Sequence, residues 1–178
     1  MTEEKLLGNE RREQLLQWLK QSESPLTGSE LGERANVSRQ VIVGDITLLK
    51  AQGIPILATS RGYLYTQPAN ESNMIEKTIV CSHRSDQTEE ELNILVDHGI
   101  LVKDVAVEHP IYGDLRASIM VSNRLEVQQF IKRVQKYKAA YLSTLSEDGI
   151  HMHTIASKDA EMIERAEQKL REAGILVE

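Results

Sequence analysis

Aromatic residues make up only 4% of this 178-residue chain, and cysteine occurs once, at Cys81. With a single cysteine no internal disulfide can form, so the fold stands on packing alone and suits a reducing compartment. With so few aromatics the core must come from Leu, Ile and Val. The 40% hydrophobic content is enough for one medium domain or two small ones. No apolar run approaches the roughly 20 residues of a membrane span. The amino terminus, MTEEKLLGNERREQ, lacks a signal-peptide core, so a soluble, cytoplasmic protein with no membrane partner is expected. Positive charge is also in deficit: 21 Lys and Arg against 27 Asp and Glu, a net charge of -6. That balance argues against adhesion to nucleic acid by gross electrostatics, which needs clustered cations. The deficit is uneven. Residues 1–67 hold eight charges of each sign, whereas residues 68–178 hold 13 basic and 19 acidic ones. The first part can therefore meet a phosphate backbone, and the second is repelled by one.

What is present in residues 1–67 is a run of helix signals. NERREQLLQWLKQ, residues 9–21, places Leu15, Leu16, Trp18 and Leu19 nearer to helical than to strand spacing. After the break at Pro25, Thr27 and Glu30 have the spacing of a capping box, predicting a helix to about Ala35. Asn36 suits a left-handed turn, and Ser38 can cap a further helix that ends before Gly53. Leu31, Ala35, Val37, Ile42, Ile46 and Leu49 then face inward. Ser38, Arg39, Gln40, Val43 and Gly44 remain on the outer, early part of the second helix, where a helix-turn-helix meets the major groove. Arg39 can fork onto guanine or phosphate, Gln40 can pair with adenine, Val43 can touch a thymine methyl, and Gly44 permits close approach. IPILATSRGYLY, residues 54–65, predicts a hairpin with Arg61 at its tip, the wing of a winged helix.

ELGERANVSRQVIVGDITLLKAQG resembles the helix-turn-helix of bacterial winged-helix regulators in the same broad group as the biotin repressor's amino-terminal domain. Many of those relatives carry arginine at the positions of Val43 and Gly44, so the resemblance implies fewer phosphate contacts here per monomer. Weak binding by one winged helix predicts a homodimer that presents two recognition helices to a palindromic operator in double-stranded DNA.

TQPANESNM has no apolar periodicity and marks a linker at about 68–74, separating domains at 1–67 and 75–178. Beyond it the expected order is β-α-β-β-α-β-β-α-β. IEKTIVCSH is a strand, TEEELNILVDHGI a helix closed by Gly99, and VKDVAVEHPIYGDLRASIMV two strands joined near Tyr112. SNRLEVQQFIKRVQKYKA is a helix opened by Ser122 or Asn123. AAYLSTLSEDGIHMHTIAS is a hairpin turning at Asp148 and Gly149, and SKDAEMIERAEQKLREAGILVE is a helix followed by a short terminal strand. The whole is an α+β protein: a winged helix-turn-helix, then a mixed sheet covered by helices.

The segment IHMHT spends two of the chain's five histidines at alternate positions. On a strand, His151 and His153 share one face about 7 Å apart. They can then share a metal ion, or they can be polar residues on a solvent face with Met152 inward. His83, at the end of the first strand, and Glu91, in the following helix, can converge on one point. Each has an ordinary alternative: a loop histidine, and one charge in the solvated run TEEE. Three imidazoles and a carboxylate make a set suited to zinc or nickel rather than calcium or magnesium. Cys81 shares strand parity with His83 and is either a fifth ligand or a small buried apolar residue.

CSHRSD with Glu91, VEHPIYGDL and GIHMHT resemble the three-histidine regulatory domain that follows a winged helix in niacin-responsive repressors of NAD biosynthesis. The likeness spans nearly the whole chain. It implies metal ligation by His83, Glu91, His151 and His153, and an effector pocket near VEHPIYG in which His109 and Tyr112 take part. The effector it implies is nicotinic acid as corepressor, whose carboxylate Arg84 or Arg116 can pair. Rival expectations are a metal-sensing repressor, and a metal-dependent hydrolase or lyase fused to a DNA-binding module. An enzyme needs an open metal position and a separate acid or base. No nucleophile elbow or phosphate loop accompanies these residues, so no catalysis is expected.

Overall fold

The capping box at Thr27 is formed: the Thr27 hydroxyl accepts from the Glu30 amide at 3.1 Å, and the Glu30 carboxylate accepts from the Thr27 amide at 2.7 Å. Two of the helix's orphan amino-terminal donors are thereby satisfied. The structure is a computed structural model that describes residues 8–66 and 74–177. The expected linker, 68–74, lies outside these residues except for Met74. The chain forms two compact units, dividing between residues 70 and 71.

In the first unit α1 (Gly8–Gln21), α2 (Gly28–Arg34) and α3 (Arg39–Ala51) precede the antiparallel hairpin β1 (Ile56–Thr59) and β2 (Gly62–Tyr65). Asn36, at φ 50°, makes the left-handed corner between α2 and α3, and Ser38 caps α3. Leu15, Leu19, Leu31, Ile42 and Ile46 are almost wholly buried, with Trp18, Val37 and Tyr63 packed against them. Gly62 is required by contact: a Cβ there would lie 2.5 Å from the Leu26 carbonyl oxygen. That approach lets Leu26 and Tyr63 exchange two backbone hydrogen bonds, tying the wing to the segment before α2. Asp45 on α3 is buried and pairs with Arg11 at 2.6 Å and Arg12 at 3.2 Å, which fixes α3 against α1.

The second unit consists of β3 (Ile75–Ser82), α4 (Thr88–Asp97), β4 (Leu101–His109), β5 (Gly113–Val121), α5 (Arg124–Tyr137), β6 (Ile150–Ser157) and α6 (Ala160–Glu172). The sheet order is β3-β6-β4-β5, and every pairing is antiparallel. A mixed sheet was the expectation. The crossover from β3 through α4 to β4 does leave two parallel strands, but β6 lies between them and is antiparallel to both. Alternate residues of β3 and β6, including Ile79, Cys81 and Ile155, join Leu92, Leu95, Val127, Ile131, Ile163 and Leu170 in one core. The helices thus cover one sheet face.

Two further expectations change. The segment before Asp148 is not a strand but a 3-10 turn, Leu142–Leu145. The Thr144 hydroxyl donates to the Tyr141 carbonyl at 2.7 Å, the local side-chain competition by which Ser and Thr displace extended structure. The terminal strand is reduced to a single bridge: Ser82 N donates to Ile175 O and Val177 N to Val80 O, each at 2.9 Å. Among the described residues no helix is long and apolar enough to cross a membrane.

Candidate metal centre and DNA-reading surface

His151 and His153 face the core, and Met152 the opposite side, reversing the arrangement that a solvated hairpin would have. In the β3–β6 register Cys81 lies opposite His151 and Ile79 opposite His153. This places both imidazoles under α4, whose first turns carry Glu91. His83, just past β3, closes the group. Exposure is 8% for His83, 1% for Glu91, 2% for His151 and 3% for His153, so four ionisable groups share one dry space.

Their hydrogen bonds dictate which ring nitrogen carries a proton. Nδ1 of His83 donates to the Arg84 carbonyl at 2.7 Å, that of His151 to Gly149 at 2.8 Å, and that of His153 to Asp104 at 2.6 Å. A carbonyl can only accept, so each Nδ1 is protonated. Each Nε2 then turns toward the Glu91 carboxylate: 2.8 Å from His83, 3.1 Å from His151 and 3.3 Å from His153. The His153 nitrogen makes no hydrogen bond there.

A bare Nε2 lone pair facing a carboxylate oxygen is repulsive, so positive charge must lie between them. A single imidazolium proton would neutralise Glu91 but leave the other two Nε2 lone pairs facing it, and three would leave a net charge of about +2 buried, which is costly. One divalent ion held by three neutral rings and the carboxylate leaves about +1 and satisfies every lone pair. The donor set and its orientation therefore fit a zinc- or nickel-type ion. Carbonyls on the three Nδ1 atoms are the outer contacts that metal-bound histidines customarily have.

Electrostatics couple the same groups, in the direction that protons on the rings would take without an ion. Burial alone would raise the Glu91 pKa, but the charge of His153 and the close approach of the His151 and His83 rings outweigh it and hold the carboxyl well below its usual range. Burial would lower the pKa values of His83 and His153, and contact with Glu91 raises them instead. Cys81 is fully buried, with its sulfur among ligand atoms of Glu91 and His151 that lie within 4.8 Å of one another. Burial pushes its thiol pKa up strongly, and the Glu91 charge pushes further the same way. In this arrangement the sulfur is a neutral thiol beside the carboxylate.

Several supporting groups carry no signal in a single sequence. Gly149 has φ 65°, and a Cβ there would collide with the His83 carbonyl oxygen; the spacing shows only a turn glycine. Asp104 sits where the register of β4 shifts. Its carbonyl orients His153, while its carboxylate accepts from the Thr154 amide at 3.0 Å and pairs with Arg116 at 2.7 Å. Beside the four groups lies a cavity of about 30 Å³, walled by Val105, Ile119, Phe130, Tyr141 and Ser143, roughly one water molecule's share of liquid. The Thr88 hydroxyl also lines it and has no hydrogen-bond partner, although it is buried.

The expected effector residues are not brought to this place. His109 and Tyr112 stack with ring centres 5.0 Å apart at the β4–β5 turn, and Tyr112 is 73% exposed. The turn begins four residues beyond Val105, about 13 Å along the strand. Arg84 is exposed and pairs with Asp86. Arg116 also donates to Thr154 at 2.9 Å, which by strand alternation lies on the sheet face opposite His153. Contact with the cavity thus falls to Thr88, Phe130, Tyr141 and Ser143, which sequence spacing does not join.

On the first unit Ser38, Arg39 and Gln40 are exposed, Val43 is half-buried and Gly44 is exposed. The Ser38 hydroxyl accepts from the Val41 amide, so part of its capacity serves as a cap. Arg39 runs beside Gly28 at the start of α2, and a Cβ at Gly44 would meet open space. Arg61 is half-buried at the β1–β2 turn, its amide donating to Thr59.

Comparison with known proteins bears on both units. Residues 76–178 match the 3H domain and residues 11–64 an HTH domain. The chain is 56% identical over 179 aligned positions, 99% of each chain, to a Bacillus subtilis protein named transcription repressor NadR. It is 38% identical over 174 residues, 98% of this chain and 97% of the other, to a Thermotoga maritima protein named probable transcription repressor NiaR.

Proposed function

The chain belongs to the NadR and NiaR family of transcription repressors, which join an HTH domain to a 3H domain, and from that premise we propose that it is a niacin-responsive repressor. It is a regulator and not an enzyme. A homodimer presents two α3 helices to a palindromic operator upstream of genes for NAD biosynthesis or niacin uptake. Nicotinic acid acts as the corepressor, sensed in the second unit.

The observation that carries this reading is the orientation of His83, His151 and His153 toward Glu91 beside a cavity with one unpartnered hydroxyl. These four residues would hold zinc or nickel. A bound ion would supply a Lewis-acidic site for a carboxylate or a pyridine nitrogen. The chain itself supplies the rest: Val105, Ile119 and Phe130 offer apolar contact to a flat ring, and the Thr88 hydroxyl offers a hydrogen bond to a carboxylate oxygen. The cavity is smaller than a pyridine carboxylate, so entry displaces the Leu142–Leu145 turn. Both Glu91 oxygens face imidazoles, which removes it as a free general base.

Corepression means that effector and operator favour the same dimer geometry, and each must raise the other's affinity by one factor. The test is operator binding with nicotinic acid, nicotinamide and NAD compared, paired with calorimetry of nicotinic acid with and without operator. Tighter DNA binding with nicotinic acid, and an equal gain in the reciprocal titration, support the reading. A response to none of the three compounds contradicts it. The four-residue set can also bind an ion without any effector, which keeps a metal-sensing repressor as the second reading. In that case stripping and reloading the ion switches DNA binding while nicotinic acid does nothing.

A further inference from the structure

The second unit is acidic by count, yet its charges are sorted. Residues 127–146 contain no Asp or Glu, a 20-residue gap in a half of the chain that otherwise carries 19 acids. The same gap holds Lys132, Arg133, Lys136 and Lys138. Val127, Phe130, Ile131 and Val134 turn α5 inward, so at helical spacing the exposed side of its last two turns carries Lys132, Arg133 and Lys136. Lys138 follows immediately as a left-handed cap. All four are exposed.

Pairing separates these cations from most of the others in the unit. Lys77, Arg84, Lys103, Arg116, Arg124, Arg165 and Lys169 each have a carboxylate partner. Among the described residues none of the four on α5 has one; Lys136 only lies over the Tyr137 ring. The single acid of α5, Glu126, is at the far end of the helix and is held by Ser122. Some of the basic character near a helix carboxyl terminus answers the helix dipole, but that effect fades within the last turn. Lys132 and Arg133 lie beyond it. Among the described residues, a protein with a net charge of -6 thus gathers four cations without a carboxylate partner at one end of one helix.

We propose that this face of α5, Lys132, Arg133, Lys136 and Lys138, is a second contact for the phosphate backbone of duplex DNA, additional to the winged helix. The inference rests on the repressor reading and deepens it. Gln128, Gln129, Gln135 and Tyr137 on the exposed surface of the same helix are residue types that hydrogen-bond phosphate oxygens. The winged helix carries Val43 and Gly44 on its reading helix, so phosphate contacts from elsewhere add to a sparse set. The inner side of α5 also carries Phe130, a wall of the cavity, in contact with Tyr141. One helix therefore joins the proposed effector space to the proposed phosphate contact.

The test measures the slope of log affinity against log salt for the full-length protein on an operator duplex and on a scrambled duplex of equal length. Its variants are Lys132→Gln/Arg133→Gln/Lys136→Gln/Lys138→Gln, and a charge-keeping Lys132→Arg/Arg133→Lys/Lys136→Arg/Lys138→Arg. Each phosphate contact removed should lower the slope by about 0.9. A fall of about 2 or more per chain on both duplexes, in the glutamine variant only, supports the proposal. An unchanged slope overturns it, as does an equal loss in the charge-keeping variant. Weakened self-association by sedimentation with an unchanged slope also overturns it, because the face then meets protein. If the unaltered protein does not prefer operator to scrambled duplex, the repressor reading itself fails.

Discussion

The Nε2 atom of His83 lies 2.8 Å from the Glu91 carboxylate, on a ring whose Nδ1 is already committed to a backbone carbonyl. A proton or a shared metal ion must lie between two such atoms, and the same relation recurs at His151. Replacing Glu91 with Gln keeps the shape and removes the charge. Its effect on zinc affinity should exceed the roughly 10- to 100-fold typical of residues that only orient ligands. Chelator competition on the purified protein measures this; affinity within a factor of two of the original would show that Glu91 holds no ion.

Arg116 offers a sharper distinction. It pairs with Asp104, whose carbonyl receives the proton of His153. As a brace, Arg116→Gln should weaken zinc binding about tenfold and change nicotinic acid binding only in proportion. As a direct effector contact it would reduce nicotinic acid affinity and leave zinc untouched. Calorimetry with each ligand separates the two.

Asp45 holds two guanidinium groups on α1. Asp45→Ala leaves Arg11, itself 9% exposed, without its carboxylate, and breaking a buried pair in this way costs about 3–5 kcal/mol. Trp18 is the chain's only tryptophan and packs in the first unit's core. Its fluorescence should therefore report an early urea transition while zinc content stays at the original level. A single unchanged transition would show that the pair contributes little.

How far the chain was legible differs between its units. The capping box, the left-handed Asn36, the Ser38 cap and the inward Leu31, Ile42 and Ile46 are local signals, set by neighbours three or four residues apart. Pairings across the sheet are not local. Nothing near residue 150 tells that β6 inserts between β3 and β4, and so a mixed sheet and a hairpin strand before Asp148 were expected. That His83, Glu91, His151 and His153 converge was legible through the family resemblance, since spacing alone leaves the histidine pair open between a shared ion and a solvated face and gives His83 and Glu91 ordinary readings. The cavity wall was not, because Phe130, Tyr141 and Ser143 are ordinary residues until the fold gathers them. His109 and Tyr112 show the converse: a conspicuous pair of residues whose exposed turn lies away from the cavity.

On the first unit, Gln40 and Arg61 should differ in kind. Gln40→Ala should cost about 1–3 kcal/mol on the operator and relax the preference at one base pair, as expected of a base-edge contact. Arg61→Ala should weaken binding uniformly across sequences and reduce the salt slope by about 1. Anisotropy titrations on a panel of single-base operator variants decide both. A uniform loss for Gln40→Ala would remove it from base reading.

The central claim is that the imidazole and carboxylate group is where nicotinic acid is sensed. It is tested most directly by operator affinity with and without nicotinic acid, measured for the zinc-loaded protein and for His151→Ala/His153→Ala. The account predicts at least about tenfold tighter binding with nicotinic acid in the former, within the usual range of coupling between sites, and no response in the latter. An equal response in both proteins, or none in either, would contradict it.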